Sequence, residues 1–563
     1  MASEIVVGID FGTTYSGVSW AVNGGTKTIR LINDWPNPTS TVANSDKVPT
    51  KISYKDGSPH NWGYAVDFKE ESFRWIKLLL DPKNKIGRNA EAVLTSTRLL
   101  GTLNKTAEEV AADYLRLIWD YTKNDIQRVR DVFSQYQQSG LKLRKTRLSK
   151  LPAWRACQRI FPWSRKPEAA ALAVLKERKQ EDESLQVGDC FVVCDAGGGT
   201  VDLISYKICD MDPFQIEECA VGDGGLCGSV YLDQAFERYI KTIVGEDQYN
   251  SIKERDKKKM IQEFELAVKR TYSGDDKPYS VDLRGVEDNP NEGIDDDTIT
   301  LKPSVLQTVF DHVIGQIMRL VEKQIDEAQE RGNRVKAILL VGGFGTNRYM
   351  HKRLNESYKG SHIQVLQNNG AWSSICRGAT MWGLENSPNS TYTKKTVKAR
   401  LARFSYGLCY SVHFDESKGH LAKDRILGVT GDWMAKNQMG WLIQKGDRME
   451  DGRILQKQLM NAVQVGMLSR GTREFSKTLY YSADDEPPSR REISVKELCT
   501  VNYGIDCSKL WHESSFKDPN SGEKWRHARF DLLVALESAN LCFVVFYRGK
   551  PVAYTEAKYK EDF

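Results

Sequence analysis

The sequence predicts an α/β chain, with a duplicated two-lobed domain followed by a mostly-β C-terminal domain. Three observations predict it. The stretch Cys190–Lys207 reads as two strands around a glycine turn: apolar Phe191–Cys194, then Asp195-Ala196-Gly197-Gly198-Gly199-Thr200, then strand character from Val201 to Tyr206. The stretch Ile5–Val18 repeats that layout, so that Asp10 falls on Asp195 and Gly12 on Gly197. Beyond residue 398 the helical periodicity fades and short alternating runs take over.

The chemistry of the repeated unit follows from its residue types. Glycines accept positive φ and carry no Cβ, so backbone N–H groups can close on a phosphate, while each aspartate offers a carboxylate to a hydrated metal ion. One such tip would be an ordinary hairpin turn. Two copies half a domain apart imply a duplicated lobe with a nucleotide between the copies.

Length and composition bound the rest. The 563 residues suggest two to four domains, and 40% hydrophobic with 10% aromatic residues excludes disorder as the main state. Lys plus Arg number 80 against 75 Asp plus Glu, a balance of +5 that gives no global nucleic-acid signature. Met-Ala-Ser-Glu carries no basic leader, and no apolar run approaches the ~18 residues that span a bilayer, so a cytoplasmic chain without a membrane partner is expected. The 11 cysteines include no Cys-x-x-Cys pair, which points to reduced, buried thiols rather than a zinc site.

Element by element, Thr28–Ile32 reads as a strand closed by the prolines of Asn33–Pro38, and Thr50–Tyr54 as another before a Lys-Asp-Gly turn. Phe73–Leu80 is an apolar run ended by Asp81-Pro82. Lys77 lies inside it, either snorkelling to solvent or facing a phosphate. Thr106-Ala107-Glu108-Glu109 has capping-box spacing, and Val110, Tyr114, Leu117, Ile118 and Tyr121 continue an amphipathic helix to Lys123. Leu141–Lys166 holds nine Lys or Arg and no acid; it reads as a solvated loop, and nucleic-acid binding is not expected. Pro167–Lys176 is a helix with proline first and Glu168 in its first turn.

Val221–Ser229 is a glycine-rich loop whose Gly228 either touches phosphate or turns the chain, and a helix follows over Val230–Val244. Tyr249–Ser273 reads as one charged helix, and Glu287–Asp297 as an acidic loop. Lys302-Pro303-Ser304 opens a long helix stopped by Gly332. Ala337–Val341 is a buried parallel strand, and Gly342-Gly343-Phe344-Gly345 turns from it into a helix over Asn347–Leu354, a geometry suited to nucleotide approach. In the tail Tyr406–Phe414, Phe475–Tyr481, Arg526–Ala535, Leu541–Tyr547 and Val552–Thr555 are strand-like and mark no chemistry. The chain thus divides into lobes at 1–185 and 186–386, a linker at 387–398 and a β domain at 399–563.

Gly8–Ser16, Asp195–Asp202 and Val341-Gly342-Gly343, in this order and spacing, resemble the ATPase domain of the 70-kDa heat-shock chaperone family, within the actin and sugar-kinase superfamily. Phe344 after the diglycine and the short β tail resemble its divergent heat-shock-like branch. The likeness covers roughly residues 3–385 and, more loosely, the tail. It implies an actin-like (ribonuclease-H-like) fold, ATP or ADP between two lobes, Mg²⁺ held through water by Asp10 and Asp195, and protein clients or co-chaperones as partners. Carried onto this chain, Gly12, Thr13, Thr14 and Tyr15 would contact the phosphates, as would Gly197, Gly198, Gly199 and Thr200, and Gly228 joins them as a nucleotide-binding residue. Asp202 would position the attacking water and Lys77 resembles the catalytic lysine. Glu265, Lys269, Arg270 and Ser273 form the adenosine side, opposite Gly342 and Gly343. Such phosphoryl transfer asks for positioning and charge neutralisation.

Four departures stand out. The family's glutamate before the proline of the Pro-Glu-Ala-Ala helix is Lys166, with Glu168 as its substitute; the adenine-stacking arginine is Thr346, with Arg348 two positions on. The linker lacks the acidic-leucine pattern, and no helical lid follows the tail. Asp131–Lys166 lacks the family's core strand and reads as an altered reading frame or retained intron. The expected function is an ATP-binding, slowly ATP-hydrolysing, heat-shock-70-like protein. The alternatives are a catalytically silent, nucleotide-gated interaction protein and a small-molecule kinase of the same superfamily.

Overall fold

Apolar residues on alternate positions make Glu4–Asp10 (β1) and Tyr15–Asn23 (β2) an antiparallel hairpin, Asp10 opposite Gly17 at its tip. In the computed structural model, which describes residues 4–23, 28–37, 44–67, 69–80, 91–134, 166–181, 185–367, 370–387, 395–450, 453–464, 471–537 and 540–558, β2 also pairs with Arg30–Leu31 and with Lys47–Pro49 (β3). Among the described residues β1 has one strand neighbour, β2. Of Asp131–Lys166, the stretch expected to lack this sheet's core strand, residues 135–165 lie outside the described residues.

The capping box forms as expected: Thr106 Oγ1 accepts from the Glu109 N–H at 3.2 Å and Glu109 returns a carboxylate oxygen to the Thr106 N–H at 2.8 Å. The helix it opens, Ala107–Ser134 (α1), runs beyond the expected Lys123. Lys166–Glu181 (α2) starts one residue before Pro167, and Ala169–Leu175 are buried on every side, as in a helix enclosed by protein.

Cys190–Ala196 (β4), Val201–Met211 (β5) and Phe214–Gly225 (β6) form an antiparallel meander. The glycine-rich stretch from Val221 is therefore strand as far as Gly225, where Gly224 and Gly225 pair with Asp202 and Val201. Val230–Val244 (α3) follows with the expected bounds. The single helix expected over 249–273 is three pieces. Glu246–Ser251 ends where Ile252 and Lys253 turn extended, Glu254–Glu263 (α4) restarts the helix, and Phe264–Val268 is a π turn leading into Lys269–Thr271. The expected acidic loop at 287–297 contains a short strand, Ile294–Asp295.

Pro303–Glu330 (α5) precedes Val335–Val341 (β7), which is parallel to β4 on one side and to Gln364–Gln367 (β8) on the other. Asn347 caps the next helix, Arg348–Ser357 (α6), by accepting from the Met350 N–H at 2.9 Å. Five strands thus run in the order β8-β7-β4-β5-β6. Every residue of β4 is buried, as expected of a central strand with covered faces. Cys190, Val192, Cys194 and Ala196 join the core with α3 and α5, and the alternate residues turn toward α2. Ser374–Glu385 (α7) packs on α2, β1 and β2 and joins the two sheets through one helix pair.

The chain separates into compact units at 1–396 and 397–562. Residues 388–394 of the expected linker lie outside the described residues, and Val397 already begins a strand. The second unit has one sheet ordered Arg425–Leu427, Trp433–Ile443, Ser405–His413, Thr472–Ser482, Lys496–Asp506, and another ordered Ile454–Gln464, Lys524–Glu537, Asn540–Tyr547, Lys550–Lys558. Leu408, Tyr481, Tyr503, Phe530 and Phe543 share its core. Trp433–Ile443, Ile454–Gln464 and Lys496–Asp506 went unrecognised in the sequence because polar residues and glycines interrupt their apolar alternation.

Candidate functional site

The tips of the β1–β2 and β4–β5 hairpins meet. A Cβ added at Gly198 would lie 2.4 Å from Thr14 Oγ1, and one at Gly199 2.7 Å from Thr13 Oγ1. Only residues without side chains allow so close an approach. Within its own turn Gly12 is equally constrained, since a Cβ there would stand 2.1 Å from the Tyr15 carbonyl oxygen. The third glycine loop completes the floor: Gly342 has φ +81°, and its Cβ would fall 2.5 Å from both Asp195 Oδ1 and the Ala196 carbonyl.

Between these loops lies a cleft lined by Asp10, Gly12, Thr13, Thr14 and Tyr15 from one hairpin and Asp195, Gly197, Gly198, Gly199, Thr200 and Asp202 from the other. Lys77, Glu265, Lys269, Arg270, Gly342 and Gly343 line it as well. Three expected residues stand apart. Glu168 is buried in the first turn of α2 and does not face the cleft, and Ser273 donates to Asp275 at 3.4 Å. Gly228 braces the clamp from behind: the N–H groups of Gly228, Ser229 and Val230 donate to the Gly199, Gly197 and Gly198 carbonyls at 3.3, 3.1 and 2.9 Å. A Cβ at Gly228 would strike the Gly198 carbonyl oxygen at 2.3 Å.

On the far side Tyr15, expected on the phosphates, reaches the other half of the cleft. Its hydroxyl donates to Glu265 Oε1 at 3.2 Å and accepts from Arg270 at 3.3 Å. Trp372, just before α7, lies edge-on to Tyr15 with centroids 5.7 Å apart, and the Arg270 guanidinium sits 5.9 Å from its ring centre. Lys269 is buried against Asp233, with Nζ 2.7 and 2.8 Å from the two carboxylate oxygens, and Asn347 Nδ2 holds the Lys269 carbonyl at 2.8 Å.

Charge is concentrated around Asp10. Lys47 Nζ donates to its Oδ2 at 2.6 Å, and Lys166 Nζ stands 2.7 Å from Oδ1 while donating to the Phe11 carbonyl at 2.8 Å. Burial alone would raise the Asp10 pKa, but the two ammonium groups outweigh it and hold the carboxyl well below the carboxylate range. Asp195 is the opposite case. Burial, with Asp202 beside it, pushes its carboxyl up to about 7, and its Oδ1 has no hydrogen-bond partner among the described residues.

These details decide how well the expected metal pair suits a hydrated magnesium ion. Asp195 has an oxygen to offer. At Asp10 charge is what opposes a cation: its Oδ1 makes no hydrogen bond, but ammonium groups stand 2.7 and 2.6 Å from Oδ1 and Oδ2. The two aspartates together therefore do not fit an ion held between them. Among the described residues no group of three or more His, Cys, Asp or Glu could hold a metal, and no helix is long and apolar enough to cross a membrane.

Sequence reasoning gave Lys47, Asn347, Trp372 and Asp233 no role and treated Lys166 only as a departure. The signal for Lys47 was Gly17, its partner in the β2–β3 register. A Cβ there would press on Lys47 Cγ at 3.1 Å and Cε at 3.4 Å, so the glycine leaves a channel for the lysine stem.

Residues 184–368 match a family model described as Domain of unknown function (DUF8340), and residues 400–561 match Domain of unknown function (DUF8568). The human Heat shock 70 kDa protein 12B is 22% identical over 502 residues, covering 72% of this chain and 71% of that protein. Heat shock 70 kDa protein 12A of Mus musculus is 21% identical, covering 74% and 73%. The Chaperone protein DnaK of Mycoplasmopsis synoviae (strain 53) is 25% identical over 360 residues, 61% of this chain and 52% of that protein. Mixed α/β architecture and these similarities together define a chaperone-related, ATPase-like protein. Within that class the chain is related to the 70-kDa heat-shock proteins, as a divergent heat-shock-like branch.

Proposed function

We propose that this chain is a heat-shock-70-like protein that binds ATP or ADP in the cleft between two duplicated halves and hydrolyses ATP slowly. The observation that carries the reading is the meeting of the two glycine tips: Gly198 and Gly199 abut Thr14 and Thr13 so closely that no side chain fits between them. A phosphate chain laid along that seam would meet backbone N–H groups and hydroxyls from both halves at once. The Tyr15, Arg270 and Trp372 cluster then closes the nucleoside end, where the aromatic ring and guanidinium face the cleft. Asp202, which accepts from Thr200 Oγ1 at 3.1 Å, would orient a water at the terminal phosphate.

Ligand-dependent stability of the full chain tests this. A nucleotide bound only by the folded cleft, at a hundredfold excess over its Kd, stabilises by about 2.7 kcal/mol. Millimolar ATP and ADP are therefore expected to raise the melting temperature, and a sugar panel to leave it unchanged. An unmoved transition with both nucleotides would remove the reading. A shift with a sugar would favour the kinase alternative.

A further inference from the structure

Resting on the reading of this cleft as a nucleotide site, we propose that Lys47 and Lys166 take the place of a divalent cation, so that the chain binds adenine-nucleotide phosphates without magnesium. Lys47 belongs to β3 and is buried; its stem runs through the space left by Gly17 and ends 2.6 Å from Asp10 Oδ2. Lys166 opens α2 and reaches the other carboxylate oxygen at 2.7 Å and the Phe11 carbonyl at 2.8 Å. Both line the cleft beside the glycine tips.

Two unit charges at one carboxylate equal the charge of one divalent ion. They arrive from separate elements, one beside each oxygen, and their combined charge opposes a divalent metal at Asp10 even though Oδ1 makes no hydrogen bond. An ammonium is a compact point charge with three donors, able to hold its carboxylate and turn a remaining N–H toward a phosphate oxygen. Lys166, with a side chain 27% exposed, has the freedom to do so; Lys47, at 5%, is fixed and holds Asp10 in place. The lysine at 166 thus changes what the site requires of its ligand.

Calorimetric titration of the full chain with ADP, once in excess chelator and once in millimolar magnesium, tests the proposal. The Kd is expected to agree within about threefold between the two buffers, whereas binding about tenfold or more weaker in chelator, 1.4 kcal/mol, would overturn it. Lys166→Glu is expected to make binding magnesium-dependent by at least about tenfold. Lys166→Met, which adds no charge should the glutamate prevent folding, is expected to weaken binding in chelator by a similar factor. Either variant folding normally and binding ADP in chelator as the parent does would also overturn it. Absence of binding in both buffers would defeat the nucleotide reading itself, while binding only with magnesium would defeat the lysine assignment alone.

Discussion

Asp195 is the penultimate residue of a wholly buried strand, and its environment makes ionisation unfavourable: burial first, then the Asp202 carboxylate opposite it in the ladder. With the carboxyl pushed up to about 7 from an ordinary 3.8, the folded chain holds a proton there that the unfolded chain releases. Between those values the native state binds more protons, so this residue's contribution to stability is present at low pH and is lost as pH rises toward 7. Asp195→Asn removes the effect while keeping the shape. Without nucleotide, the variant is expected to gain on the parent by on the order of 2–4 kcal/mol between acid and mildly alkaline pH, since each tenfold change in proton affinity is worth about 1.4 kcal/mol. Denaturant melts at both ends of that range measure the difference. A stability gap that does not change with pH would mean that Asp195 ionises as freely as an exposed carboxylate.

Helices bring the cleft residues together by departures from regularity. Glu265 and Arg270 are five apart, which on a regular α-helix sets them about 140° apart around the axis. The π turn over Phe264–Val268 takes up one residue and swings Arg270 round, so that both side chains reach the Tyr15 hydroxyl. A second contact sets the spacing of α2 and α7. A Cβ on Gly378 would lie 1.6 Å from the Ala169 carbonyl oxygen, so one helix would have to move. Gly378→Ala is expected to destabilise the fold by about 1–3 kcal/mol or more. Gly315→Ala, in the interior of α5 with only the Arg319 side chain 3.8 Å away, is expected to stabilise by about 0.5–1 kcal/mol. The same substitution should therefore act with opposite signs in thermal melts. Equal effects would show that helix propensity, and not the α2–α7 contact, governs both sites.

At the scale of the whole molecule, the proposed nucleotide site draws on distant parts of the first unit. Tyr15 and Glu265 are 250 positions apart, and Ser19 reaches Thr380 across 361, with oxygens 2.6 Å apart. Binding should therefore register at several separated segments together. Hydrogen exchange with and without ADP is expected to slow at residues 10–18, 195–202, 264–272 and 342–347, and to stay unchanged in 397–558. Protection confined to one of those segments would argue against a ligand clamped between hairpins, and protection in the second unit would place a nucleotide contact there.

How much was legible in the sequence depended on how local each cause was. Asp10, Gly12, Asp195 and the Gly197–Gly199 tip could be read because a strand, a carboxylate and a glycine turn are set by adjacent residues, and the repeat made the pattern visible twice. The Thr106 capping box and the Val230–Val244 helix were legible for the same reason. The break at Ile252, the π turn and the strand through Gly225 were not, because tertiary packing overrides weak local preference there. Nor could spacing reveal that Lys47 and Lys166, 119 positions apart, converge on one carboxylate. By itself the sequence determined the type of each local clamp and the kinship with heat-shock proteins. Only the tertiary structure decided which charges meet inside the cleft, because the pairing of buried charges is fixed by how distant elements pack and not by their order along the chain.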